Sequence, residues 1–154
     1  MEQYIVFTNN HQNFAIEISQ IEKIIEFYEP KRVPESSEFL IGVIQYNGKI
    51  LPVINLTRRL YNTVSEIDYE SKIIVASWKG KPIGLVVDNI HGIRSFDEEQ
   101  YEKPNEDLHV STEFIQGFIK TEDDITIVLN TDKIFNFDEE KELLEATDLV
   151  ENQI

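Results

Sequence analysis

Residues 39–55, FLIGVIQYNGKILPVIN, return at residues 114–130 as FIQGFIKTEDDITIVLN. The two stretches align without a gap at a spacing of 75, and the match runs over 36–60 and 111–135. Eight pairs are identical: Ser36/Ser111, Glu38/Glu113, Phe39/Phe114, Gly42/Gly117, Ile44/Ile119, Ile50/Ile125, Val53/Val128 and Asn55/Asn130. Upstream the spacing becomes 69. There YIVFTNNHQNFAIEISQIEKI follows the apolar pattern of KIIVASWKGKPIGLVVDNIHGI, setting Ile5 against Ile74, Val6 against Val75, Phe14 against Ile83, Ile16 against Leu85, Ile18 against Val87 and Ile21 against Ile90. A longer connection in the second copy, around Phe96 to Val110, accounts for the difference of six. The chain states one plan twice.

That plan is built of strands. In QNFAIEI, Phe14, Ile16 and Ile18 alternate with Asn13, Ala15 and Glu17, and in DITIVLN, Ile125, Ile127 and Leu129 share a face. Both patterns have period 2. Turn signals separate the strands at NNHQN (9–13), Asn47-Gly48, Lys79-Gly80 and Glu122-Asp123-Asp124. Many short strands, about five to a copy, favour two small barrels packed side by side. Gly42 and Gly117 fall inside apolar strands, where a missing side chain admits a sharp bend or close backbone approach. Two helices are expected. Ser19 with Glu22 reads as a capping box, and Ile21, Ile24, Ile25 and Tyr28 recur at helical spacing, which predicts a short helix over 20–28. Its counterpart DNIHGI contains Gly92, so the copies are expected to diverge there. The acidic tail from Asp138 to Val150 carries Leu143, Leu144 and Val150 on one helical face and is expected to dock on a barrel.

Composition narrows the chemistry. A chain of 154 residues can bury about two-thirds of its unfolded surface as one domain. It has no Cys, which removes disulfides, thiolate metal sites and thiol nucleophiles together. MEQYIVF lacks the basic flank and apolar run of a signal peptide, and no apolar stretch approaches the roughly 20 residues that span a bilayer. A cytoplasmic protein with no membrane insertion is expected. With 29 acidic and 14 basic residues, the formal net charge of -15 repels polyphosphates and argues against nucleic acid. His11, His91 and His109 lie far apart, and Asp88, three residues before His91, does not complete a ligand set. Asp88 and Asp97 could be offered as an acid/base pair, but no nucleophile or cofactor motif flanks either. No catalytic residue, metal or cofactor is expected.

Taken in order, YIVF, FAIEI, IEKII, RVP at 32–34, FLIGVIQYNGKILPVINL at 39–56, GLVVDNIHGI at 84–93, and FIQGFIK with ITIVLNTDKIF within 114–135 resemble the CheW family of bacterial chemotaxis coupling proteins. The most specific part is Gly42-Val43-Ile44, Gly48 and Pro52-Val53-Ile54 following Arg32-Val33-Pro34. The resemblance covers nearly the whole chain. It implies a mostly β, single CheW-like domain over 1–154, made of two five-stranded SH3-like barrels with a hydrophobic interface. The division expected is sub-barrel one at about 14–68, sub-barrel two at about 69–137 with the N-terminal strand 2–9, and an acidic helical tail at 138–154.

The implied function is that of a non-enzymatic adaptor joining the cytoplasmic tip of methyl-accepting chemoreceptors to the regulatory domain of a CheA-type histidine autokinase. In the family the groove between the barrels takes the receptor's helical tip, and barrel ends pair with the kinase domain. Carried over by position, the receptor-side candidates are Ile21, Lys23, Gly42, Val43, Asn47, Gly48, Val86 and Val87. The resemblance leaves kinase contacts unassigned. Packing and turn roles compete at several of these positions: Ile21 and Val87 as core, Gly42 as a strand bend, Asn47-Gly48 as a type I′ turn. Asn47 stands where the family has Arg, Lys23 where it has an acid, and Asn55 where Asp is common. The first two departures keep open an alternative, a CheW-like scaffold in a divergent signalling array that lacks standard receptor binding.

Overall fold

The computed structural model describes residues 2–63, 67, 70–104 and 113–151. His109, Val110 and Ser111 of the sequence reading, and the side chain of Val150, lie outside the described residues. Eleven strands form two sheets. The first copy gives β1 (Glu2–Asn9), β2 (Gln12–Glu17), β3 (Ile21–Glu26), β4 (Leu40–Tyr46) and β5 (Lys49–Asn55), followed by helix α1 (Leu56–Tyr61). The second gives β6 (Lys72–Trp78), β7 (Lys81–Val87), β8 (Asn89–Phe96), β9 (Tyr101–Glu102), β10 (Ile115–Lys120) and β11 (Ile125–Leu129), and then α2 (Phe137–Glu151).

The two copies exchange strands. One sheet runs β8-β1-β2-β11-β10-β9 and the other β3-β6-β7-β5-β4. Each therefore takes its first hairpin from one copy and the following strands from the other. By hydrogen bonding, one sheet draws on residues 21–87 and the other on 2–17 with 89–129. Strands β6 and β7 pair with β3 and β5, and β2 joins β1 and β11. The spacings read from the sequence reappear in the parallel ladders, where Val53 faces Gly84 and Val128 faces Ala15. Segments 39–55 and 114–130 lie in different sheets and repeat the same details. The register shifts between Leu40 and Gly42, and again between Ile115 and Gly117. Asn55 N–H donates to the Phe39 carbonyl at 2.8 Å, and Asn130 N–H to that of Phe114 at 2.7 Å.

Both sheets curl until their edges meet. β8 and β9 occupy opposite edges of one sheet, yet only residues 97–100 connect them. In the other sheet the chain leaving β3 reaches Lys31 after residues 27–30 and bridges Val43 on β4, through bonds of 2.9 and 2.8 Å. The glycines sit at these closures. A Cβ at Gly42 would strike the Lys31 carbonyl, and one at Gly117 the Tyr101 ring.

Alternation along the central strands sorts the apolar residues into three cores. Val53, Val75 and Val86 point into the curled sheet of β3–β7, with Ile44, Leu51 and Ile73. Val6 and Ala15 point into the other, with Tyr4, Ile119 and Val128. Their neighbours Ile5, Phe7, Phe14, Ile16, Ile54, Ile74, Leu85 and Val87 form the interface between the sheets. Burial on both faces is why KIIVASW and GLVV read as nearly unbroken apolar runs.

The helix expected over 20–28 is not there. Residues 18–20 make one 3-10 turn without a side-chain cap, and 21–26 form β3, paired to β6. Glu22 is the extra residue of a bulge, since Ile21 faces Ala76 and Lys23 faces Val75. The bulge breaks the period of 2 and leaves a spacing that imitates a helix. Three β-branched isoleucines in six residues favour the strand. Nor do the copies diverge: on β8, Gly92 faces Val6 and Ile90 faces Phe7, so His91 is the extra residue of the equivalent bulge.

The short helix of the first half is α1. Asn55 caps it by accepting from Arg58 N–H at 3.1 Å, and Asn62 ends it in the left-handed region. Asn130 does the same for the 3-10 turn 131–133. At the C-terminus, Asn136 and Glu139 cap α2 reciprocally at 2.8 and 2.9 Å. Leu143 is buried, whereas Leu144 is not, so the docking face is narrower than expected.

Candidate interaction surfaces

The eight receptor-side positions separate by depth. Val43, Val86 and Val87 are buried, and Val86 and Val87 belong to different cores on opposite faces of β7. Gly42 is buried at the closure with Lys31. These four shape the fold. Ile21 is half-buried against the inter-sheet core, while Lys23, Asn47 and Gly48 are exposed. Asn47 and Gly48 occupy the β4–β5 turn with φ of 50° and 75°, as a type I′ turn requires.

The curl brings the start of β3 to that turn. Tyr46 is held above the usual phenol range first by desolvation and then by the neighbouring Glu22 carboxylate, while Asn47 acts in the opposite direction. Farther along, Tyr28 Oη donates to the Gln45 carbonyl at 3.4 Å. Glu22 and Tyr46 are thus the contacts of the turn that sequence reading missed, because Glu22 was assigned to a helix cap. Lys23 makes no ion pair among the described residues.

Exposed apolar side chains mark the same strand and its twin. Ile24 on β3 is 37 % exposed, and Ile93, its equivalent at a spacing of 69 on β8, is 52 % exposed. Ile18 and Tyr28 flank Ile24. An edge strand that keeps isoleucine in water at both symmetry-related places offers two apolar contact surfaces on one molecule.

Among the described residues nothing converges around His11 or His91. Asp88 accepts from Asn10 N–H at 3.0 Å and its own N–H donates to Asn9 Oδ1 at 2.7 Å, fastening two turns, whereas His91 meets the Thr8 hydroxyl. Asp97 lies beyond the far end of β8. Among the described residues no three His, Cys, Asp or Glu side chains come together as a metal site, and no helix is long and apolar enough to cross a membrane.

Two interlocked β-sheets with paired edge surfaces and an interior given over to packing define a protein-binding scaffold. The family model for the CheW-like domain matches residues 3–139, and the chain belongs to that family. It is 34% identical over 135 residues to the chemotaxis protein CheW of Thermotoga maritima, covering 86% of each chain. Against CheW of Bacillus subtilis it is 28% identical over 136 residues, covering 88% of this chain and 87% of that one. The crystal structure of the scaffolding protein TtCheW from Thermoanaerobacter tengcongensis superposes with a TM-score of 0.81 at 28% identity, over 90% of this chain and 94% of that one. The chain is a chemotaxis scaffold and not an enzyme.

Proposed function

We propose that this protein is the cytoplasmic coupling adaptor of a chemotaxis complex, joining the tips of methyl-accepting chemoreceptors to a CheA-type histidine autokinase. The observation that carries this is the duplicated edge. β3 and β8 present Ile24 and Ile93 at equivalent places on two interlocked sheets, so one rigid body offers two separate surfaces. An adaptor needs two. The receptor surface is the outer part of β3 with the β4–β5 turn, namely Ile21, Lys23, Asn47 and Gly48, extended by Glu22, Ile24 and Tyr46. Gly42, Val43, Val86 and Val87 support it from beneath. The two sheets act as sub-barrels, each built from both copies of the repeat.

The sign reversal at Lys23 favours the divergent-array alternative, but Glu22 on the adjacent bulge keeps an acid beside the turn and supports receptor binding. Calorimetry with a purified receptor tip fragment and with the autokinase's regulatory domain tests the reading. Binding to each at micromolar concentration, without nucleotide or metal, is expected. Binding to the kinase domain alone would favour the divergent scaffold.

A further inference from the structure

The chain that leaves β8 and returns as β9 walls off a cleft of ≈ 470 Å³ at the closure of its sheet. Three rings line it: Tyr4 and Phe96, tilted at 55° with centroids 6.0 Å apart, and Tyr101. Tyr101 Oη donates to the Gln116 carbonyl at 2.8 Å, and Gln116 Nε2 donates to Glu17 Oε1 at 2.8 Å, which fixes one ring and one carboxylate. Glu2, Asp97 and Glu98 supply three more carboxylates to the lining, and no Lys or Arg belongs to it. None of the four acids takes part in an ion pair among the described residues.

A second feature is independent of these charges. Tyr4 is 5 % exposed, and its hydroxyl has no hydrogen-bond partner within the described protein. Tyr4 lines the cleft together with Glu17, Tyr101 and Glu2, and burial and then these three neighbours hold its phenol above the ordinary range. The ring is buried, but its oxygen reaches solvent at the cleft and has a bonding position that no described protein group fills.

The duplication supplies an internal comparison. The twin cleft, ≈ 760 Å³, is lined by Phe27, Glu29 and Ile41 where this one has Phe96, Glu98 and Gln116. It also contains Arg32, whereas no arginine belongs to the lining here. One cleft carries its own guanidinium; the other keeps the aromatic and acidic lining without it.

We propose that the cleft between Tyr4, Phe96 and Tyr101 receives a guanidinium group from outside, the side chain of an arginine on a partner protein. A guanidinium stacks on aromatic faces, donates in a fork to carboxylates and stays charged at any physiological pH, which matches rings and acids set side by side. The free oxygen of Glu17 and the Tyr4 hydroxyl accept its N–H groups. The assignment stands apart from the adaptor reading, since it rests on this cleft alone.

The test is a titration of the full chain with N-acetyl-arginine methylamide at constant ionic strength, followed by NMR of the ring signals of Tyr4, Phe96 and Tyr101. Saturable shifts confined to these rings are expected, and none with the neutral citrulline analogue. Glu17→Gln should weaken binding about fivefold, and so should the pair Glu2→Gln and Glu98→Gln, which leaves the Gln116 to Glu17 bond intact. Thermal melts identify any variant that fails to fold. Unmoved rings, equal response to the citrulline analogue, or unchanged binding in both folded variants would overturn the proposal. Agmatine binding tenfold tighter than the amide would overturn the partner arginine in favour of a free small cation.

Discussion

Gly42 shows how much of the curl rests on a single absent side chain. The Lys31 carbonyl occupies the place of a Cβ, and backbone cannot swing aside as a flexible side chain would. Gly42→Ala should therefore cost about 1–3 kcal/mol in urea melting, as overpacking does. Wild-type stability in that variant would show that the closure at Lys31 is loose. The phenols give a second prediction at this scale. Tyr4, Tyr61 and Tyr101 are raised from 10.0 first by burial, and Tyr46 by desolvation and then Glu22. A raised phenol contributes stability in full below its unfolded value and loses it as pH climbs through the folded value. Stability should thus fall above about pH 10, and ultraviolet difference titration should show late-ionising tyrosines. Normal titration of all of them would contradict the packing around Tyr4 and Tyr101. Sequence alone could mark Gly42, through its identity with Gly117, but not Glu22, whose partner Tyr46 lies across a closure that no local pattern encodes.

At the scale of elements, the hairpins were legible because their turns are chemically explicit. Asn10-His11, Asn47-Gly48 and Lys79-Gly80 all place two consecutive residues at positive φ. β3 was not legible, since a one-residue bulge at Glu22 converts alternation into a false helical spacing, and its pairing to β6 comes from the other copy. Helix α1 was missed for the opposite reason: LTRRLY is too short to show a period, and its cap Asn55 stood out only as a repeated residue. If Glu22 reaches Tyr46 as placed, a double-mutant cycle of Glu22→Gln with Tyr46→Phe should give a coupling of about 0.5–1.5 kcal/mol, and zero coupling would separate β3 from the turn. Among the described side chains, helix α2 is tied down by Leu143 in the core, Glu139 on Arg59 at 3.0 Å, Glu140 on Lys79 at 2.6 Å, and Glu142 on the backbone and side chain of Ser37. Leu143→Ala should cost about 2–4 kcal/mol, whereas Leu144→Ala should stay within about 0.5 kcal/mol. Equal losses would mean that the helix docks on another face.

For the whole molecule, the repeat read from 39–55 and 114–130 was enough to predict two similar β units, and the offsets of 69 and 75 survive in the ladders. The strand exchange was hidden because both copies carry the same pattern, so sequence cannot say which hairpin completes which sheet. Exchange joins the two units through shared strands, which is what the proposed adaptor requires to hold two partners at a fixed geometry. Separate surfaces should therefore fail separately. Ile24→Glu should weaken capture of the receptor tip, Ile93→Glu should leave it intact, and both should keep stability within about 0.5 kcal/mol because the residues are exposed. The most direct test of the adaptor is sedimentation velocity with the receptor tip fragment and the autokinase present together. A ternary species that forms only when this protein is added is the predicted result. Two partners that compete for the protein, or no complex at tens of micromolar with all components folded, would contradict it.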